Sequence, residues 1–391
     1  MNTQRIGDVA EALLEYVENG ATFQGDRMVT VPAAHYTDPD RQRAEVDLIF
    51  HRLPLMLALS CELPKPGDYK ATQVMTQPVL ITRNNTGVVR AFLNVCAHRW
   101  SPVVREGYGN CTRFTCPFHG WTYHSNGKLV GITDRIKFGD IDKSTHGLRE
   151  LPCEERYGMI FVCLTSETRP DLDEYYGSLL EEFATWRLDH WTFLGARELE
   201  CANWKILLTN FFESYHFGTL HAKTLAPTWA SNVNHYEGFG PNMRIGFVLK
   251  SIKALRDVPR EQWGQLENDG GFVFMRFLFP NVTVSFQPVI SSFTQIYPGP
   301  TPERSRMVIL YLSKEAPASE AEREKTEDEI NFRYTTLRDE DCANGINTQR
   351  GLMSGAHPGL VYGRNECGDQ YFHEWVDWYL RADPLLPKPV I

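Results

Sequence analysis

Near the start of the chain, apolar residues recur at helical spacing. They predict a short helix over Val9–Val17, then a loop to residue 36. Thr37, Asp38 and Pro39 form a second helix start, with proline at the first helical position and Val46, Ile49 and Phe50 as the apolar face. From Leu53 to Leu164 the rhythm shortens to β-like runs broken by turns. Pro64–Gly67 is one turn, and Val79–Thr82 and Val88–Phe92 flank Asn84–Gly87 as a hairpin. Tyr157–Cys163 reads as a closing strand. Further on, Trp204, Leu207, Leu208, Phe211 and Tyr215 return to helical spacing. Phe272–Ile296 alternates apolar and polar residues, as one face of an antiparallel sheet does. A long polar helix is expected from Ser319 to about Gln349, with Ser319 and Glu322 at capping-box spacing. The pattern predicts an α+β chain: residues 1–52 an N-terminal helical segment, 53–165 a small antiparallel β domain, and 166–391 helices packed on an antiparallel sheet.

Composition narrows the classes. The 391 residues are 42% hydrophobic and 23% charged, which excludes disordered, collagen-like and coiled-coil chains. A net charge of −9 sets aside generic nucleic-acid binding. No apolar run approaches the roughly 20 residues of a membrane span, and MNTQRIGDVAEALLEY lacks the basic-then-apolar order of a signal peptide. The expectation is a soluble cytoplasmic protein. In a reducing compartment its nine cysteines are expected to be buried, metal-bound or catalytic rather than disulfide-bonded. The charged run Glu320–Glu329 reads as a solvated helix face.

Two short motifs carry chemistry. Cys96-Ala-His98 is followed 17 residues later by Cys116-Pro-Phe-His119. Each offers one thiolate and one imidazole. Two cysteines on one iron and two histidines on the other make the ligand set of a Rieske [2Fe–2S] centre, whose potential lies above that of all-cysteine clusters because imidazole replaces thiolate. The competing reading is structural zinc, which also takes Cys₂His₂. Zinc fingers, however, pair like with like along the chain, and here each pair is mixed. The second constellation starts from His216 and His221. Five residues on an ideal helix turn them about 140° apart, so the helix bends or ends between them, with Gly218 permitting it. Alone, such a pair equally describes two surface or satisfied histidines.

NVCAHR (94–99) and CPFHGWTY (116–123) resemble the Rieske domain of the Rieske non-haem iron oxygenases, the aromatic ring-hydroxylating oxygenase α subunits and their monooxygenase relatives. Respiratory Rieske proteins carry an extra cysteine in each loop, where this chain has Ser101 and Phe118. NWKILLTNFFESYHFGTLH (203–221) resembles the family's mononuclear iron motif, and RDEDCANGINTQRGLMSG (338–355) its distal carboxylate segment. The resemblance implies Cys96, His98, Cys116 and His119 as cluster ligands. It implies His216, His221 and Asp341 as a facial triad for Fe(II), open positions being what O₂ activation needs. Asp339 and Glu340 are equally plausible on composition, so only the motif's register selects Asp341. Glu213, three residues before His216 on one helical face, is implied as a bridge between His119 of one subunit and His216 of the next; a helix-surface glutamate is the alternative.

The same resemblance implies a helix-grip catalytic domain and a homotrimer, with a small β subunit as a possible companion. No GxGxxG follows a strand and no plant-type Cys₄ spacing exists, so electrons are expected from a separate NAD(P)H-dependent reductase, a ferredoxin, or both. The implied activity uses O₂ to hydroxylate or dihydroxylate a hydrophobic aromatic or alicyclic substrate. A monooxygenase or demethylase acting on a methyl or quaternary ammonium substrate is the second reading, and an electron carrier without oxygenase activity the third. Phe272, Phe274, Phe277, Phe279, Val282, Val284 and Phe286 are expected to be mostly core, with a minority touching substrate.

Overall fold

The computed structural model describes residues 3–165 and 171–391. Its chain forms two compact units, one built from Met1–Ile49, Leu172–Thr185 and Trp191–Ile391, the other from Phe50–Asp171 and Trp186–His190. The domain boundary expected at 165/166 falls against residues 166–170, outside the described residues. No helix among the described residues is long and apolar enough to cross a membrane.

The smaller unit is antiparallel β throughout. Gln77–Arg83 and Val89–Leu93 form the expected hairpin at the centre of a five-stranded sheet. Its turn closes because the Asn84 side chain accepts from the Thr86 and Val88 amides at 2.9 and 3.0 Å, while Gly87 takes φ +81°. Met159–Val162 pairs with Leu55–Leu59, closing the unit as the sequence predicts. A separate three-stranded sheet of Arg113–Thr115, Thr122–His124 and Leu129–Gly131 carries the second Cys-His motif in its first hairpin. Cys96, Cys116, Trp121 and Tyr123 all belong to the buried core beside it.

The larger unit is built on one seven-stranded antiparallel sheet. Its strand order is Thr192–Cys201, Ser305–Ser313, Ser291–Pro298, Val282–Ser285, Phe272–Leu278, Asn242–Leu249, Trp229–Phe239. Its central strands are buried on both faces rather than one. Thr3–Asn19, longer than the helix expected there, covers one part with Ile6, Ala10, Leu13 and Leu14 against Val248, Leu255 and Phe272. Pro39–Glu45 starts where Asp38 caps it, accepting from the Asp40 amide at 2.8 Å.

Three expectations need correction. The helix begun at Trp204 ends at Thr209 and does not reach Tyr215. The Thr209 hydroxyl donates back to Lys205 O at 3.0 Å, and the Ser214 amide and hydroxyl bond to the Asn234 side chain at 2.9 and 2.6 Å instead of continuing the ladder. A separate 3₁₀ turn, Tyr215–Gly218, follows. The polar helix from Ser319 is also not uniform: it runs as Glu320–Thr336, widens to a π-helix over Leu337–Cys342, then continues as Ala343–Met353. Finally, Cys201 and Cys342 form a disulfide across 141 residues, with Cα atoms 5.5 Å apart. Their sequence separation hides a contact that only the packing of a strand end against the π-turn creates.

Helix Trp204–Thr209 is anchored in the interior. Asn203 caps it, and the Lys205 ammonium and Trp204 indole both donate to Glu45 Oε2, at 2.7 and 2.9 Å. Complete burial pulls the Lys205 ammonium below the ordinary lysine range, opposed by the Glu45 carboxylate.

Candidate active site and cluster site

The two Cys-His loops share one backbone design. The Cys96 amide donates to Ser101 O at 2.8 Å, as the Cys116 amide does to Trp121 O at 2.8 Å. Trp100 N donates to Cys96 O, and Gly120 N to Cys116 O, both at 3.0 Å. In both loops the fourth residue after cysteine has positive φ, +61° at Trp100 and +71° at Gly120. The second loop therefore requires glycine, whose Cβ position Thr133 already occupies. The repeated turn brings the two imidazoles together in one place.

That place fits a two-iron cluster. The His98 and His119 rings lie 4.6 Å apart between centroids, with His98 stacked on Trp121 at 5.1 Å. Both Nδ1 atoms are buried and have no hydrogen-bond partner among the described residues. Cys96 and Cys116 are free thiols. The Tyr123 hydroxyl lies 3.3 Å from Cys96 Sγ and accepts from the Ala97 amide at 2.9 Å. Desolvation, then the neighbouring His119 and Arg99, lowers the His98 imidazole, which favours the neutral form that a metal needs. Two orphaned imidazole nitrogens in loops that also carry two buried thiols are costly in a metal-free fold and are what a Rieske cluster uses.

The second site lies in the larger unit. His216 sits in the Tyr215–Gly218 turn and His221 in the loop after it, so the chain does break between them. Gly218 has no positive φ. The break comes instead from the turn's docking against strand Trp229–Phe239, where Asn232 N donates to Ser214 O at 2.9 Å. Asp341 arrives from the π-helical segment, a distortion that often marks functional sites. One ligand atom from each of His216, His221 and Asp341 falls within 4.8 Å of the others. His221 Nε2 is 3.4 Å from Asp341 Oδ2, and His216 Nε2 is 3.7 Å from Asp341 Oδ1.

Both imidazoles are held from behind. Glu213 Oε1 engages His216 Nδ1, and Glu340 Oε2 engages His221 Nδ1. Each carboxylate thereby fixes the tautomer that leaves Nε2 free, the usual support of a metal-bound histidine. Glu213 does not share a helical face with His216. Its Oε2 caps the 3₁₀ turn by accepting from the Tyr215 and His216 amides, the latter at 3.2 Å. Glu340 also accepts from the Thr224 hydroxyl at 2.7 Å. Its role is absent from the sequence reading, which could not rank it against Asp339; Asp339 pairs with Arg338 on the surface. Burial lowers the His221 imidazole, but Asp341 and Glu340 outweigh it, so the net shift is upward. Replacing Glu340 by alanine is expected to weaken iron affinity by about 10- to 100-fold, measured by competition with a chelator. Unchanged affinity would show that His221 needs no such support.

A cavity of about 250 Å³ opens on the triad. Phe217, Leu225, Trp229, Phe247, Val273 and Met275 make its apolar wall. None of the seven apolar residues expected around Phe272–Phe286 lines it. The lining positions on those strands are Val273, Met275 and Ser285, and sheet register explains why: Phe247 pairs with Val273, Met275 with Ser285, and Ser285 with Ser292, all on the cavity face.

Two domain families match the chain. The model of the ring hydroxylating alpha subunit (catalytic domain) matches residues 183–382, and that of the Rieske [2Fe-2S] domain matches 54–139. The oxygenase subunit of glycine betaine monooxygenase from Chromohalobacter salexigens is 30% identical over 203 residues, 52% of this chain and 45% of that protein. The large oxygenase component of a 2,4-dinitrotoluene dioxygenase system from Burkholderia sp. is 36% identical over 204 residues, 49% of this chain and 44% of that protein. The chain thus spans about half the length of the curated relatives it matches. Among solved structures, the quaternary ammonium Rieske monooxygenase CntA with L-carnitine has TM-score 0.76 at 21% identity, covering 90% of this chain and 95% of that one. Naphthalene 1,2-dioxygenase from Rhodococcus sp. has TM-score 0.73 at 21% identity, covering 97% and 99%. At that identity the likeness establishes the α+β fold.

Proposed function

The chain belongs to the ring-hydroxylating oxygenase α subunits, and from that premise we propose that it is the oxygenase component of a Rieske mono- or dioxygenase acting on a hydrophobic substrate. The observation that carries the reading is the His216–His221–Asp341 donor set at the mouth of an apolar cavity. The Rieske domain implies a [2Fe–2S] cluster and the catalytic domain a mononuclear iron. Cys96, Cys116, His98 and His119 would hold the first, and His216, His221 and Asp341 the second. Bound there, these groups supply single electrons and O₂ activation.

The chain's own residues do the rest. Glu213 and Glu340 hold the Nδ1 protons of the two imidazoles, so both Nε2 atoms present lone pairs toward Asp341. Phe217, Trp229, Phe247 and Val273 exclude water and press an apolar molecule against the triad. Because its carboxylate already grips His216, Glu213 is suited to the bridge that would join it to His119 of a neighbouring subunit in a homotrimer. A separate reductase or ferredoxin would deliver the electrons. Monooxygenation at a methyl or quaternary ammonium group is the second reading, favoured by the glycine betaine relative and by the aromatic wall.

Iron and acid-labile sulfide decide the first step. Protein purified without air is expected to hold about three iron per two sulfide, the sum of one Rieske cluster and one facial-triad iron. With a surrogate reductase and O₂ it is then expected to form oxygenated product. Two iron per two sulfide would point to a carrier, and zinc without sulfide would overturn both sites.

A further inference from the structure

The cavity is apolar beside the triad but polar along its wall of helix Glu320–Thr336. Glu329, Arg333 and Thr336 line it in steps of four and three residues, with Phe332 beside them, and Leu337 and Asp341 continue the lining from the π-helix. Arg333 precedes Asp341 by eight residues, along the α-helix and then the π-helical segment that follows it. Its side chain leans toward the helix N-terminus, away from the triad, where Nε meets Glu329 at 2.8 Å and Nη2 meets Gln287 Oε1 at 2.7 Å. Gln287 is held in turn by its amide, which donates to Ser285 Oγ at 3.3 Å. No hydrogen bond from Nη1 is found among the described residues. Arg333 is thus a braced guanidinium with unused donors on a cavity wall.

We propose that this site selects an elongated apolar molecule ending in a carboxylate, which Arg333 binds at the end of the cavity away from the triad. The inference rests on the cavity being the substrate site. Charge arrangement separates this ligand from an ammonium. The Arg333 side chain is 20% exposed and Glu329 37%, so Glu329 keeps more of its hydration and serves as a counter-ion at the rim. A cation entering beside the braced guanidinium would meet like charge in a poorly hydrated space, whereas a carboxylate would gain charge-assisted bonds of fork geometry. Tyr311, buried on strand Ser305–Ser313 and also lining the cavity, adds a donor: burial pushes its phenol up to about 12 although Arg333 works against the shift, so the hydroxyl keeps its proton. A cavity of about 250 Å³ leaves room for a bicyclic or chain-extended skeleton between Arg333 and the triad.

The test is calorimetric binding to the holoprotein with three probes of one shape: 2-naphthoate, 2-naphthamide and 2-naphthyltrimethylammonium. The wild type is expected to bind naphthoate at least about 10-fold more tightly than the amide, and Arg333→Gln to lower that preference by about 10- to 100-fold, as loss of a charged hydrogen bond predicts. Arg333→Lys should restore only part of it. Iron and sulfide content confirm that each variant is folded. Equal affinity for naphthoate and amide, tighter binding of the ammonium, a preference that survives Arg333→Gln, or no binding of any probe would each overturn the proposal. Product analysis on the same samples separates this from the oxygenase reading. Arg333-dependent binding without oxygenated product would sink the activity and keep the ligand class. Turnover of hydrocarbons with no carboxylate preference would do the reverse.

Discussion

Replacing Asp341 by alanine is expected to strip the mononuclear iron while leaving the cluster intact. The iron content should fall from three to two per two sulfide, and product formation should fall by more than about 100-fold, since even outer partners of a metal site are worth 10 to 100-fold. The reasoning is geometric. Asp341 is the carboxylate whose oxygens face both Nε2 atoms, and its Oδ1 also accepts from Asn210 at 3.4 Å. Without it two imidazoles remain, too few for the facial set that retains Fe(II) with open positions. Glu340 cannot replace it, because Glu340 is engaged with His221 Nδ1 and Thr224 on the far side of the ring. The residues proposed to hold the cluster lie in a separate compact unit, so sulfide and the Rieske spectrum should stay unchanged. An Asp341→Ala protein that keeps three iron per two sulfide would remove Asp341 from the metal site.

Glu213→Gln should separate the two redox sites without emptying either. The glutamate caps the Tyr215–Gly218 turn and grips His216 Nδ1. Glutamine has the same length but lacks the charge that favours the imidazole proton on Nδ1. If Glu213 is the bridge to a neighbouring subunit's cluster, coupled turnover should fall by more than about 100-fold, the scale of loss when a reacting geometry slips by an ångström. Iron, sulfide and reduction of the cluster by its donor should remain near wild type. Single-turnover mixing of reduced protein with substrate and O₂ reads the step directly: the cluster should reoxidise far more slowly. A variant that reoxidises its cluster at the wild-type rate would reduce Glu213 to a turn cap.

How much of this was legible in the chain depends on the range of the interaction involved. Cys96-x-His98 and Cys116-x-x-His119 are read from sequence because a four-residue turn alone sets their geometry, and both loops close the same way. The hairpin at Asn84–Gly87 and the cap at Asp38 are equally local. The break between His216 and His221 follows from helical rotation, but its place does not. The helix ends six residues before Tyr215 begins the next turn, because Ser214 finds Asn234 on a strand that the sequence could not dock there.

Sequence by itself determined the α+β class, the paired loops, and the residue types at both metal sites, since these rest on side-chain chemistry and short-range backbone geometry. The motif's register picked out Asp341, but only the tertiary structure placed Glu340 and Asp339, the first behind His221 and the second on the surface with Arg338. Adjacent side chains in one helical segment point in different directions, and the π-helix turns Asp341 to the cavity and Glu340 behind His221, a residue 119 positions away. It also decided that Val273 and Met275 face the cavity while Phe272 and Phe274 fill the core, because a strand's alternation marks two faces without saying which is covered by what. The disulfide between Cys201 and Cys342 and the placement of Arg333 on the cavity wall are of the same kind: each is a meeting of residues that only packing brings together.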